Sequence, residues 1–227
     1  CEEVIDATGC YLLPGIIDDH VHFRDPGLTH KADILTESRA AAAGGVTSIM
    51  DMPNTNPLTV TLDALNAKLD LLNEKCIVNH SCYFGATNNN YTEFDKLDKH
   101  RVCGIKLFMG SSTGNMLVDK MNSLLNIFNG TDMLIAAHCE DQETIKNNIE
   151  KYKQKYKGAD DIPISAHPSI RSVPACYASS ELAVRLAKIA GARLHILHVS
   201  TAKELQLFSD EPLANKNITA EACVAHL

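Results

Sequence analysis

Two histidines one residue apart, His20 and His22, close an apolar run in the stretch IIDDHVHFRDPG. On a strand, residues i and i+2 point to the same face, so both rings project together. Two neutral imidazoles on one face suit zinc or a similar metal. A pair of hydrogen-bonded core histidines is the plainer reading of H-x-H taken alone. Lys106, in GIKLFMG, is a second signal. Its neighbours are apolar, and burying an ammonium is costly unless it is paired, neutralised or chemically altered. Either it meets an aspartate, or its amine takes up carbon dioxide to become a carbamate, an anion able to bridge two metals. His138, in LIAAHCE, and His198, in LHILHVS, end two further apolar runs. His195 and His198 are three apart, so a regular strand turns them to opposite faces. The one nearer the carboxyl end is the better ligand. His195 therefore reads as a core or helix-facing residue, and His30, His80 and His100 read as structural by default.

These residues need a frame that gathers strand ends. Apolar or β-branched runs lie at residues 14–22, 45–53, 76–87, 102–110, 133–140, 192–200 and 218–227, and helical patterns at 31–43, 62–74, 116–128, 141–156, 174–190 and 201–209 fall between them. Strands that are continuously apolar and alternate with helices predict a parallel sheet covered by helices. His20, His22, Asp51 to Asn54, Lys106, His138 and His198 all sit at carboxyl ends of strands. A closed barrel collects such ends around one site. An open sheet would string them along a line, and no glycine-rich phosphate fingerprint follows the first strand. The reading is an α/β fold, a TIM-type (β/α)8 barrel over residues 14–227, incomplete because seven strand runs are visible where eight are required.

Composition limits the rest. With 227 residues and 45% apolar side chains, the chain can form one sizeable core. A net charge of −7, from 21 basic and 28 acidic residues, and the lack of a basic block argue against nucleic-acid or anionic-membrane surfaces. Eight cysteines without C-x-x-C spacing read as reduced residues of a cytoplasmic protein. No run approaches a membrane span or a signal peptide. The chain begins at Cys1, which suggests a piece of something longer.

The succession PGIIDDHVHFRDPG, DMPNTNP, GIKLFMGSSTGN, AAHCE, HPSIRS and LHILHVST resembles the amidohydrolase superfamily, and within it the dihydroorotase branch. The resemblance implies that His20 and His22 hold one zinc, that His138 and His198 hold a second, and that Lys106 bridges them as its carbamate. Arg24 and Asn54 match the residues that grip a substrate carboxylate. The implied reaction is the reversible cyclisation of N-carbamoyl-L-aspartate to L-dihydroorotate in pyrimidine biosynthesis, with metal-activated water as the nucleophile in the hydrolytic direction. The family's proton-shuttling aspartate is expected beyond Leu227, so no catalytic acid or base is assigned within the chain; Asp18, Asp19, Asp25 and Asp51 are poor substitutes. Residues 1–13 are expected to be the remnant of a small β-rich N-terminal domain.

A homodimer and an association with aspartate transcarbamoylase also follow from the resemblance. Hydantoinases and allantoinases share the metal residues, and Arg24 with Asn54 separates the dihydroorotase reading from them. An inactive scaffold would be expected to lose metal residues, and all five are present. EACVAHL stands where many relatives carry Pro-His-His-Leu, which leaves His226 without a role. Arg171 and the helix over 174–190 read as packing features, residues 86–93 and 150–161 as surface segments, and residues 110–115 as a possible rim of the site or a plain turn.

Overall fold

The computed structural model describes residues 3–110, 115–158 and 161–226. Seven strands, β1 (Ile16–Val21), β2 (Val46–Asp51), β3 (Asn79–Gly85), β4 (Val102–Phe108), β5 (Ile135–His138), β6 (Leu194–Ile196) and β7 (Ile218–Ala220), form one sheet in sequence order. Every neighbouring pair is parallel. The intervening helices are α1 (Ile34–Ala43), α2 (Leu62–Lys75), α3 (Met121–Asn129), α4 (Gln142–Lys155), α5 (His167–Ile170) and α6 (Val173–Ala190). The sheet curls until its two edges approach: His20 at the end of β1 lies 2.5 Å from Glu221, just past β7. This is the expected barrel sheet with seven of its eight strands.

Strand alternation divides the side chains into two sets. Ile49, Cys82, Phe84, Ile105, Leu107, Ile135, Ala137, Leu194 and Ile196 pack against helices in the main core. Met52, Tyr83, Ala136 and Leu197 form a smaller cluster on the opposite, inner face. Lys106 lies between Ile105 and Leu107 and so points inward, level with Ala136 of β5.

Local chemistry set the element ends. Asp33 caps α1 through a capping box with Thr36, which starts the helix at Ile34 and leaves residues 31–33 outside it. Gly191, at φ 66°, ends α6 as the sequence suggests. The helix expected over 116–128 begins only at Met121. Its first residues run extended beside β4, where Leu117 bridges Phe108 and the Val118 amide donates to the Phe108 carbonyl at 2.9 Å. The helix expected over 201–209 is a single 3-10 turn, Glu204–Leu207. The buried Glu204 carboxylate accepts from Ser180 and Thr201, which pins that turn to α6 instead of letting it extend. None of the described helices is long and apolar enough to cross a membrane, and all seven described cysteines are free thiols.

A buried ion pair ties α2 to β2. Asp51 faces the helices, its Oδ2 is 2.8 Å from Lys68 Nζ, and both side chains are 0% exposed. Lys68 also donates to the Met52 carbonyl, and Asp51 Oδ1 accepts from the Phe23 amide at 2.9 Å. Removing one partner strands a charge in the core. Lys68→Met should therefore cost about 3–5 kcal/mol, seen as a lower urea midpoint. Pairing it with Asp51→Leu should recover most of the loss.

Candidate metal centre

The inner ends of β1, β4, β5 and β6 bring the five expected ligand residues together. His20 Nε2 and His22 Nε2 face each other at 3.3 Å. His138 Nδ1 faces His198 Nε2 at 2.9 Å. The two pairs are joined by His20 and His198, whose ring centroids are 5.5 Å apart.

The outer nitrogens have partners that fix the tautomers. His20 Nδ1 donates to Glu221 Oε1 at 2.5 Å, His22 Nδ1 to Asn54 Oδ1 at 2.9 Å, and His138 Nε2 to Glu140 Oε2 at 2.9 Å. In the neutral rings, their inner nitrogens then carry the lone pair. Two lone pairs facing each other repel unless a cation lies between them. Zinc to nitrogen bonds of about 2.0–2.1 Å at tetrahedral angles place ligand nitrogens about 3.3 Å apart, which matches the His20–His22 separation. The donor set thus fits a divalent metal.

Electrostatics point the same way. Burial, followed by the charge of Arg24, holds His22 down to about 3. Burial, followed by His138, does the same to His198. Both rings stay neutral and available. Burial pushes Glu221 up, but hydrogen bonds from His195 and His20 outweigh it and leave the carboxyl well below its ordinary range. Glu140 is also lowered, because His138 and Arg171 outweigh burial.

Lys106 is 1% exposed and makes no ion pair among the described residues. Asp51, at the end of β2, lies on the helix-facing side and pairs with Lys68 instead of Lys106. Its ammonium sits 4.4 Å from the Phe108 ring centroid, and its neighbour Cys139 is a buried thiol pushed up to about 12. Burial lowers Lys106 to about 7, so much of it is neutral amine near neutral pH. Its charge contributes to the lowering of both His22 and His198, so it lies within electrostatic reach of both pairs.

Arg24 follows β1 with φ 65°, half-buried, and makes no ion pair among the described residues. Asn54 has its carbonyl engaged by His22, which leaves its NH2 to donate elsewhere. A cleft of about 450 Å³ opens beside His138 and His198, walled by Glu140, Arg171 and Thr201 and reached by His226. Residues 111–114 of the expected rim segment lie outside the described residues.

Two expectations change. His195 is a buried core residue, but it faces inward and not toward the helices: Nδ1 meets Thr219 at 2.8 Å and Nε2 meets Glu221 at 3.3 Å. The strict alternation that opposed it to His198 fails because β6 ends at Ile196 and His198 takes φ 41°. Arg171 is no mere packing residue, because it donates to Glu140 Oε2 at 2.6 Å and so supports His138.

Glu221 was invisible in the sequence. It accepts from His20, His195 and the His198 amide together. The one available signal was an acidic residue inside the last apolar run, which sits just past β7 because that strand ends at Ala220. Asp18 is also engaged, accepting from the His20 amide at 3.1 Å, and Asp19 Oδ2 lies 3.9 Å from His195 Nε2. Outer partners of metal histidines commonly govern affinity by about 10–100-fold. Glu140→Gln should therefore weaken zinc binding by about that factor, measured by competition with a chelating dye.

Residues 9–204 match the family model described as dihydro-orotase-like. Among curated relatives, the dihydroorotase of Listeria innocua is 32% identical over 99% of this chain and 51% of its own length. That of Enterococcus faecalis is 30% identical over 100% and 52%, and that of Methanosphaera stadtmanae 32% over 100% and 51%. The chain thus spans about half the length of the curated relatives it matches. Among solved structures, the L-hydantoinase (dihydropyrimidinase) of Arthrobacter aurescens superposes with a TM-score of 0.87 at 29% identity, covering 96% of this chain and 49% of that one. The dihydropyrimidinase of Brevibacillus agri gives 0.83 at 25% identity, over 99% and 50%.

Proposed function

Since this chain belongs to the dihydro-orotase-like family, we propose that it carries most of the catalytic barrel of a dihydroorotase, interconverting N-carbamoyl-L-aspartate and L-dihydroorotate. The observation that carries the reading is the convergence of four imidazoles, His20 Nε2 to His22 Nε2 at 3.3 Å and His138 Nδ1 to His198 Nε2 at 2.9 Å, beside a buried lysine that makes no ion pair among the described residues. His20 and His22 would hold one zinc and His138 and His198 a second. The neutral Lys106 amine would add to carbon dioxide, lose a proton and become the anionic bridge between them. Once bound, the metals supply a Lewis acid for the ring amide carbonyl and acidify water toward neutral pH.

The protein's own groups do the rest. Glu221, Asn54 and Glu140 hold the ring tautomers that leave the inner nitrogens free. Arg24 would offer a planar fork to the free carboxylate of the substrate, and the Asn54 NH2, left over by its bond to His22, would donate to the same group. The cleft of about 450 Å³ is large enough for one six-membered ring. Residues 3–13 form no strand and leave Tyr11, Leu12 and Leu13 exposed.

The hydantoinase neighbours favour a second reading, a ring amidase acting on hydantoins or dihydropyrimidines. Such substrates lack the carboxylate that Arg24 would bind. The two separate in one assay: the polypeptide, supplied with zinc and bicarbonate, is offered dihydroorotate, dihydrouracil and hydantoin, and ring opening is followed by ultraviolet absorbance. Preference for dihydroorotate supports the first reading; turnover of the other two with dihydroorotate ignored sinks it.

A further inference from the structure

We propose that Lys75 is a positioning residue for Arg24: its ion pair with the buried carboxylate of Asp25 anchors the turn that keeps Arg24 left-handed beside His22. A residue with a Cβ avoids φ near 65° unless its surroundings hold it there. The turn has two backbone ties, from the Leu28 amide to the Arg24 carbonyl and from the Asn56 amide to the Pro26 carbonyl, each at 3.0 Å. Gly27 is wedged against the facing loop, where a Cβ would fall 1.9 Å from the Asn56 carbonyl oxygen. Among the described residues, the one side-chain tie from this turn to α2 is Lys75 Nζ to Asp25 Oδ2, at 2.9 Å.

The Asp25 side chain is 5% exposed, and a carboxylate buried that deeply needs its partner. Lys75 is the last residue of α2, and seven residues earlier Lys68 locks the same helix to Asp51. The anchor is therefore fixed to the sheet at one end and to the arginine's turn at the other. Among the described residues Lys75 pairs with Asp25 and with none of the five candidate ligands, so its direct hold is on the turn.

For its effect on substrate, this inference rests on the dihydroorotase reading. Lys75→Met should raise KM for dihydroorotate by about tenfold while leaving kcat and zinc content near the parent values. Lys75→Arg should restore most of the loss, and Lys75→Met should add nothing to Arg24→Ala in the double variant. An unchanged KM, a proportional loss of zinc, or additive effects would overturn the proposal. Asp25→Asn, which keeps the shape and removes the charge, repeats the test should Lys75→Met fold poorly. If the parent neither binds nor opens dihydroorotate, the functional reading fails, and a crystal structure of Lys75→Met still decides this one. Arg24 relaxed out of the left-handed region supports it; Arg24 unmoved rejects it.

Discussion

Lys106→Ala is expected to lower dihydroorotate turnover by about 10³-fold or more and to reduce bound zinc from two ions per chain. The alanine removes the amine that would carry the bridging carbamate and leaves four imidazoles with no anion between their metals. The side chain is buried and makes no ion pair among the described residues, so its removal strands no charged partner in the core. That separates the effect from unfolding. The measurements are metal content by mass spectrometry and the thermal midpoint of the same sample. Two zinc ions retained without added bicarbonate would refute the bridge.

The parent protein should also show a pH signature. Lys106 is lowered to about 7 by burial, so its proton is lost as pH rises through that value. Only the neutral amine adds to carbon dioxide. Carbamate formation in metal-free protein should therefore rise with pH through about 7 and fall away below it, read by carbon-13 NMR with labelled bicarbonate. Uptake that is flat across that range would show that the buried amine is not the reacting group.

Arg24→Ala is expected to raise KM for dihydroorotate by about 10–100-fold, the worth of a charge-assisted bidentate contact, with hydrolysis of dihydrouracil little changed. Arg24 makes no ion pair within the described chain, so the substitution frees no buried partner. A ground-state contact to the carboxylate appears in KM, whereas one made only in the transition state appears in kcat. Equal losses on both substrates would instead mean that Arg24 supports His22, whose ring its charge already reaches.

The sequence by itself determined the fold class and marked the candidate ligand residues. Apolar runs alternating with helical patterns specify a parallel sheet, and polar residues confined to strand ends specify where a site lies. Both are local patterns, and both are visible in one dimension. H-x-H at 20 and 22 needed only the two-residue period of a strand.

What the sequence left undecided were pairings between distant residues. Whether Lys106 met an aspartate was one of these: Asp51 lies on the helix-facing side with Lys68, and no described carboxylate pairs with Lys106. Glu221, 201 positions from His20, enters the site only because the sheet curls until β1 and β7 converge. Arg171 joins through Glu140, 31 residues away, and His195 turns inward because the strand ends before His198. Side-chain period fixes which face a residue occupies, but only closure of the sheet decides which faces meet. The outer partners of the candidate metal residues were therefore legible only in three dimensions.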